Sequence, residues 1–187
     1  MKAKFIVSPT IKSADGGIES VRTDMLVLTK IQGIALGPGP SAVDQALDGA
    51  ISARVEQNSF KGELGENLVL SVSDQSHPQR HVLLVGLGPS SSFDHCALVE
   101  VIDVAVAKAV ARKCNRLSIP VVANRMTQLN LNLRGTAHIV RTVAERRLAA
   151  IDGDGTLEIE LICTSQAKRH LEAGLACRKK LTACCAK

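Results

Sequence analysis

Arg80-His-Val-Leu-Leu-Val-Gly-Leu-Gly-Pro-Ser90 is the stretch that decides the fold. Val82–Val85 is an unbroken apolar run, the pattern of a strand covered on both faces, and Gly86, Gly88 and a Gly-Pro step end it abruptly. Helical spacing follows: Leu98, Val101, Ile102, Ala105, Ala109 and Val110 mark a helix starting near Ser92–Asp94. Upstream, Asn67–Val72 reads as a strand separated from His81–Val85 by the polar turn Ser73–Gln79, compatible with a hairpin or with a crossover into a mixed sheet.

The same strand-then-helix rhythm extends in both directions. Met25-Leu-Val-Leu28 is a second doubly buried strand pattern, broken sharply by the glycines and prolines of 33–40. Val43, Ala46, Leu47, Ala50, Ile51 and Val55 then recur at helical spacing, with Ser41 placed as an N-cap and Asp44 as an acid in the first turn. Phe5–Val7 forms an initial strand and Asp15–Gly17 a turn. Downstream come a short strand at Ile119–Val122, a helix at about Gly135–Ala149, a strand at Leu157–Cys163 and a terminal helix at about Ser165–Leu181. This alternation predicts an α/β fold of three layers, α/β/α, with helices on both faces of a largely parallel or mixed central sheet. The 187 residues suit one domain, 1–187, with residues 183–187 as a frayed or terminally packed tail.

Composition narrows the function classes. The chain has three Phe and no Tyr or Trp, so a binding platform of stacked aromatic rings has little to build with. No secretory pattern begins the sequence, and no run approaches the roughly eighteen apolar residues of a membrane span, so a soluble cytoplasmic protein with reduced thiols is expected. The formal charge of +5 is unevenly spread. Residues 1–111 hold nine basic and twelve acidic side chains, whereas residues 112–187 hold fourteen and six. Arg112, Lys113, Arg116, Arg125, Arg134, Arg141, Arg146, Arg147, Lys168, Arg169 and Arg178 either form a solvated surface or attract an acidic protein, a phosphate ligand or nucleic acid.

Two loops are candidate sites. Gly33-Ile-Ala-Leu-Gly-Pro-Gly-Pro40 joins a strand to a helix, where backbone amides and a helix start can hold an anion, or where the loop is simply a tight connection. It matches neither the Walker nor the GxGxxG pattern. Gly86-Leu-Gly-Pro-Ser-Ser-Ser92 follows the most apolar strand, and strand C-termini of α/β sheets form ligand crevices. Candidate ligand-binding residues are therefore Gly33, Gly37, Gly39, Gly86, Gly88, Ser90 and Ser91. No catalytic set and no metal set is complete: the five histidines form no HExxH, there is no CxxC, and the serines lack a GxSxG elbow. No cofactor is implied. Asp152-Gly-Asp-Gly155 reads as a surface turn, and Glu158 and Glu160 as a solvated strand face.

Thr23-Asp-Met-Leu-Val-Leu28, Ala46-Leu-Asp-Gly49, Phe60-Lys-Gly-Glu-Leu-Gly-Glu66 and Arg80-His-Val-Leu-Leu-Val-Gly-Leu-Gly88 resemble, in order and spacing, the N-terminal domain of cytosolic leucyl aminopeptidases over roughly residues 20–162. The resemblance implies a macrodomain-like α/β/α structure with a mixed sheet. The family's larger catalytic domain, with its two metals and its Asn-Thr-Asp-Ala-Glu-Gly-Arg signature, has no match in residues 112–187, so aminopeptidase activity is not carried over. Two functions follow as expectations. The first is a noncatalytic interaction or regulatory domain acting with a homo-oligomer or another protein partner. The alternative is binding of ADP-ribose or a related nucleotide by the two glycine loops, with or without ADP-ribosyl hydrolysis. Against the macrodomain pattern the chain has Gly16-Gly-Ile in place of a Gly-Asp pair and Leu-Thr-Lys after Val27 in place of Asn-Ala-Ala-Asn.

Overall fold

Strands β2 (Thr23–Lys30) and β4 (Gln79–Gly86) lie side by side and parallel at the centre of a six-stranded sheet in a computed structural model, which describes residues 1–10, 17–121 and 132–178. The remaining strands are β1 (Lys2–Ser8), β3 (Asn67–Ser71), β5 (Arg116–Pro120) and β6 (Thr156–Ile162), and the order across the sheet is β1-β6-β5-β2-β4-β3. Only β3 runs antiparallel, as the partner of β4 in a hairpin, so the sheet is mixed.

Alternation along each strand sends side chains to two separate cores. Met25, Val27, Leu83, Val85, Leu117, Leu157, Ile159 and Leu161 face the long helices α3 (His95–Ala111) and α4 (Leu133–Ala149) and the shorter α5 (Lys168–Leu175). Leu26, Leu28, Val82, Leu84 and Ile162 face the other layer, built from Ile18, from Val43 of α1 (Pro38–Ala46), from Ile51 of α2 (Ala50–Gln57) and from Phe60. The three-layer α/β/α architecture is thus set by doubly apolar strands. Truncating a fully buried member such as Leu83 to Ala would cost about 2–5 kcal/mol.

The helix ends follow local chemistry. The Asp94 carboxylate accepts the Ala97 amide at 2.9 Å and caps α3, and Asn132 Oδ1 accepts the Gly135 amide at 2.6 Å and caps α4. Helices α4 and α5 approach closely because residue 174 is Gly: a Cβ there would run into the Arg134 carbonyl and the Ala137 side chain.

Several sequence expectations are corrected. The single helix expected through Val43–Val55 is two helices, broken at Asp48 and Gly49, both with positive φ. Gly37, not Ser41, is the N-cap of α1, while Asp44 caps the second helix by accepting the Ile51 and Ser52 amides at 2.8 and 3.0 Å. Glu160, expected on a solvated face, is buried in the sheet, where its carboxylate accepts the Ser118 hydroxyl at 2.7 Å and the Ser8 hydroxyl at 2.5 Å. Arg141, counted with the basic surface, is also buried. It is a strut from α4, donating to Glu145 and to the carbonyls of Leu175 and Cys177 at the end of α5. The expected tail at 183–187, Arg125 and most of the Asp15–Gly17 turn lie outside the described residues.

Candidate functional site

The sheet's strand order places a topological switch point at the C-terminal ends of its central strands. After β2 the chain passes to α1 on the Leu26 face, whereas after β4 it passes to α3 on the Met25 face. Loops that leave adjacent parallel strands toward opposite layers open a gap between them, and such switch points are where α/β sheets hold ligands. Here the two loops are the two glycine-rich segments singled out from sequence. Lys30 stands opposite Gly86 at the strand ends, the Leu87 amide donates to the Lys30 carbonyl at 2.9 Å, and the Gln32 amide donates to the Gly88 carbonyl at 3.0 Å.

The candidate residues occupy different environments along this edge. Gly33 is exposed with φ +74°, and no heavy atom lies within 4 Å of where its Cβ would stand. Gly37 caps α1, and Gly39 sits in its first turn, with space for a Cβ limited by Ile18 Cδ1 at 2.8 Å. Pro38 and Pro40 carry no amide proton, so Gly39 is the only donor among the first three residues of α1. Ser90 and Ser91 form an exposed single 3-10 turn, and neither hydroxyl has a hydrogen bond among the described residues.

Gly86 and Gly88 are different. Both are buried, and the chain itself occupies the space their missing side chains leave. The turn at 61–66 folds over the end of β4 so that a Cβ on Gly86 would run into the Glu63 and Gly62 carbonyls, and one on Gly88 would press on Leu64 Cβ at 3.3 Å. Their amides are committed as well: Gly86 donates to the Glu66 carbonyl at 2.7 Å and Gly88 to the Gly62 carbonyl at 2.9 Å. Among the described residues, the open polar capacity of this edge therefore lies in parts of Gly33–Gly39, whose Ile34 amide is already bonded to the Ile31 carbonyl, and in Ser90–Ser91.

Sequence reasoning missed the residues that hold this edge together. The Glu66 carboxylate accepts the amides of Lys61, Gly62 and Glu63 at 3.0, 2.7 and 3.0 Å and so fixes the covering turn. The Lys30 ammonium donates to the Ile34 carbonyl at 2.9 Å and the Lys61 carbonyl at 3.4 Å, tying the β2 loop to that turn. The signal was the pattern Gly62, Gly65 and Glu66, in which positive-φ glycines sit beside an acid able to gather their amides. Ile34 and Leu64, the two strongly exposed large apolar residues of the described chain, belong to the two segments that Lys30 ties together.

Among the described residues no group of three or more His, Cys, Asp or Glu side chains is placed to hold a metal, and no helix is long and apolar enough to cross a membrane. The two-metal chemistry that the aminopeptidase resemblance carries thus has no donor set in these residues.

Residues 27–151 match the model of the cytosol aminopeptidase family, N-terminal domain. A probable cytosol aminopeptidase of Cupriavidus taiwanensis is 34% identical over 95 residues, covering 51% of this chain and 18% of the relative. The cytosol aminopeptidase of Pseudomonas aeruginosa PAO1 is 40% identical over 70 residues, 37% of this chain and 14% of the relative. The chain therefore matches less than a fifth of the length of either. Among solved structures, a mutant tomato leucine aminopeptidase superposes with a TM-score of 0.65 at 15% identity, over 93% of this chain and 36% of that one. A Trypanosoma brucei macrodomain in complex with ADP superposes with a TM-score of 0.67 at 14% identity, over 94% and 69%. A mutant Oceanobacillus iheyensis macrodomain with ADPR gives 0.63 at 17% identity, over 91% and 90%. These structural likenesses establish a macrodomain-like fold, and the sequence match establishes the lineage: the chain belongs to the cytosol aminopeptidase family through that family's N-terminal domain.

Proposed function

We propose that residues 1–187 act as one nucleotide-binding module of macrodomain type, taking ADP-ribose or a related nucleoside diphosphate at the C-terminal edge of β2 and β4. The observation that carries this reading is the meeting of the loops after β2 and β4 at a switch point, joined by the Gln32–Gly88 hydrogen bond. The solved macrodomains with ADP and with ADPR support it, since they share the fold that builds such an edge. On this reading the exposed Gly33–Gly39 loop and the free hydroxyls of Ser90 and Ser91 face the diphosphate. The amides of Gly86 and Gly88 serve instead to hold the turn at 61–66, which forms the wall of the site. What is proposed is binding of the ligand, with ADP-ribosyl hydrolysis a separate question that incubation with an ADP-ribosylated substrate answers.

Calorimetric titration with ADP-ribose, with ADP as comparison and a thermal-shift titration alongside, tests the proposal. Saturable one-site binding is expected, weakened at least about tenfold when Ser90 and Ser91 are both replaced by Glu, because two carboxylates would repel the diphosphate. Both serines are exposed, so that variant should melt within a few degrees of the parent. No signal by either method at millimolar ligand would overturn the nucleotide reading. The second reading, a noncatalytic interaction domain, rests on Ile34 and Leu64, whose exposure on the same rim offers a protein partner an apolar foothold.

A further inference from the structure

At the opposite edge of the sheet, where β2, β4 and β5 begin, lies an open cleft of about 780 Å³. Its walls are Arg22 and the start of β2 (Thr23 and Asp24), the β3–β4 turn and the start of β4 (Val72–Asp74 and Pro78–His81 among them), and Arg116. Three guanidinium groups and two imidazoles, His77 and His81, share this space with only two carboxylates.

Those carboxylates are already engaged. Asp24 Oδ2 accepts the amides of Asn115 and Arg116 at 2.7 and 3.2 Å, and Asp74 accepts the Ser76 amide and hydroxyl, both at 2.8 Å. The cations are far less satisfied. Arg22 has no ion pair among the described residues, and Arg80, its side chain 77% exposed, has one long contact of 3.5 Å to Asp24. Arg116 bonds Glu158 through one nitrogen and keeps further donors. Gln79, fully buried beneath the same wall, donates through Nε2 to the Val21 and Glu19 carbonyls at 2.7 and 2.9 Å and so fixes the backbone that carries Arg22 and Arg80.

From this combination we infer that the cleft at the N-terminal edge is a second binding site, for a small phosphate ester. Arg22 and Arg80, together with Arg116, hold the phosphate by charge-assisted hydrogen bonds. The volume exceeds what a bare phosphate fills and falls within the range of metabolite-sized pockets. This inference is independent of the nucleotide reading, since the two sites lie at opposite ends of the strands.

Ribose 5-phosphate serves as the probe, titrated calorimetrically into the full chain, with ribose and inorganic phosphate as controls. Saturable binding is expected, tighter than for inorganic phosphate and absent for ribose. The double variant Arg22→Ala/Arg80→Ala, two exposed side chains whose loss should leave the melting temperature unchanged, weakens it at least about tenfold. The double Ser90→Glu/Ser91→Glu variant leaves it intact. A second readout is the His81 imidazole, which faces Arg112, Arg80 and Asp24: a bound phosphate raises its NMR titration midpoint. The inference is overturned by no saturation at millimolar ligand, by ribose binding as well as its phosphate, by binding indifferent to the arginine pair, or by binding lost in the serine variant.

Discussion

The two ends of the central strands solve opposite problems. At the C-terminal edge the polar groups are mostly backbone, and many are turned inward: Gly86, Leu87 and Gly88 all donate to neighbouring carbonyls, and Glu66 gathers three further amides. At the N-terminal edge the polar groups are side chains, with Arg22 and Arg80 reaching into solvent. Backbone sites are tied to fold stability, because the groups that would meet a ligand also close the chain on itself. Side-chain sites can be changed with little structural cost. The difference is testable first through stability.

Gly86→Ala should have the largest effect. Its Cβ would collide with the Glu63 and Gly62 carbonyls, and backbone cannot yield as a flexible side chain can. A loss of about 3 kcal/mol is expected, the upper part of the overpacking range, read as a fall in melting temperature of about 6–12 °C. Arg80→Ala at the other edge should stay within about 0.5 kcal/mol, since its one ion pair is long and exposed. Equal melting temperatures for the two variants would break the contrast between the edges.

The fold was legible in sequence because apolar patterning reports burial directly. Met25-Leu-Val-Leu28 and Val82-Leu-Leu-Val85, short and ended by glycine and proline, read as strands covered twice, and helical periodicity then placed α3 and α4 on the outside. Helix breaks were less legible: Asp44 looked like a first-turn acid, yet it caps the helix after it, a role decided by the positive φ of Asp48 and Gly49. The glycine loops were found, but which glycines have open space was hidden. Gly33 and Gly86 look alike in sequence, and only the path of residues 61–66 separates the free one from the filled one. The N-terminal-edge cleft left no motif at all, since Arg22 just before β2, Arg80 in β4 and Arg116 in β5 are brought together by sheet order. Glu160 was misjudged for the same reason: its partners Ser8 and Ser118 lie far along the chain on the flanking strands.

Thiol chemistry sharpens the comparison with an intermediate effect. Each edge has a buried cysteine beside it, Cys114 just before β5 and Cys163 just after β6. Burial pushes both thiols up to about 11 from an ordinary 9.0, with Asp24 adding to the rise at Cys114 and Lys168 opposing it at Cys163. At pH 8 their thiolate fraction is then about a hundredfold below that of an ordinary thiol. Alkylation followed by peptide mapping should label exposed Cys96 readily, while Cys114 and Cys163 react only on unfolding. Rapid labelling of Cys163 in the folded protein would mean that the C-terminal edge opens locally, and that its closed lattice is not the ground state.

The smallest expected effect is at His81, and it reports the electrostatics of the N-terminal edge alone. Burial first, and Arg112 second, hold this imidazole below the ordinary 6.5, with Arg80 acting in the same direction and Asp24 against it. The native protein thus resists a proton that the unfolded chain accepts. Stability should be unaffected by this group above pH 6.5, should fall as pH drops from 6.5 to the depressed native value, and should level off below it. Arg112→Ala should raise the NMR titration midpoint of His81 without restoring it fully, because the larger cause, burial, remains. A midpoint at or above 6.5 in the unmodified protein would show that the carboxylates outweigh the guanidiniums in the cleft. The edge would then favour cations over phosphates, and the contrast drawn between the two ends of the sheet would lose its chemical basis.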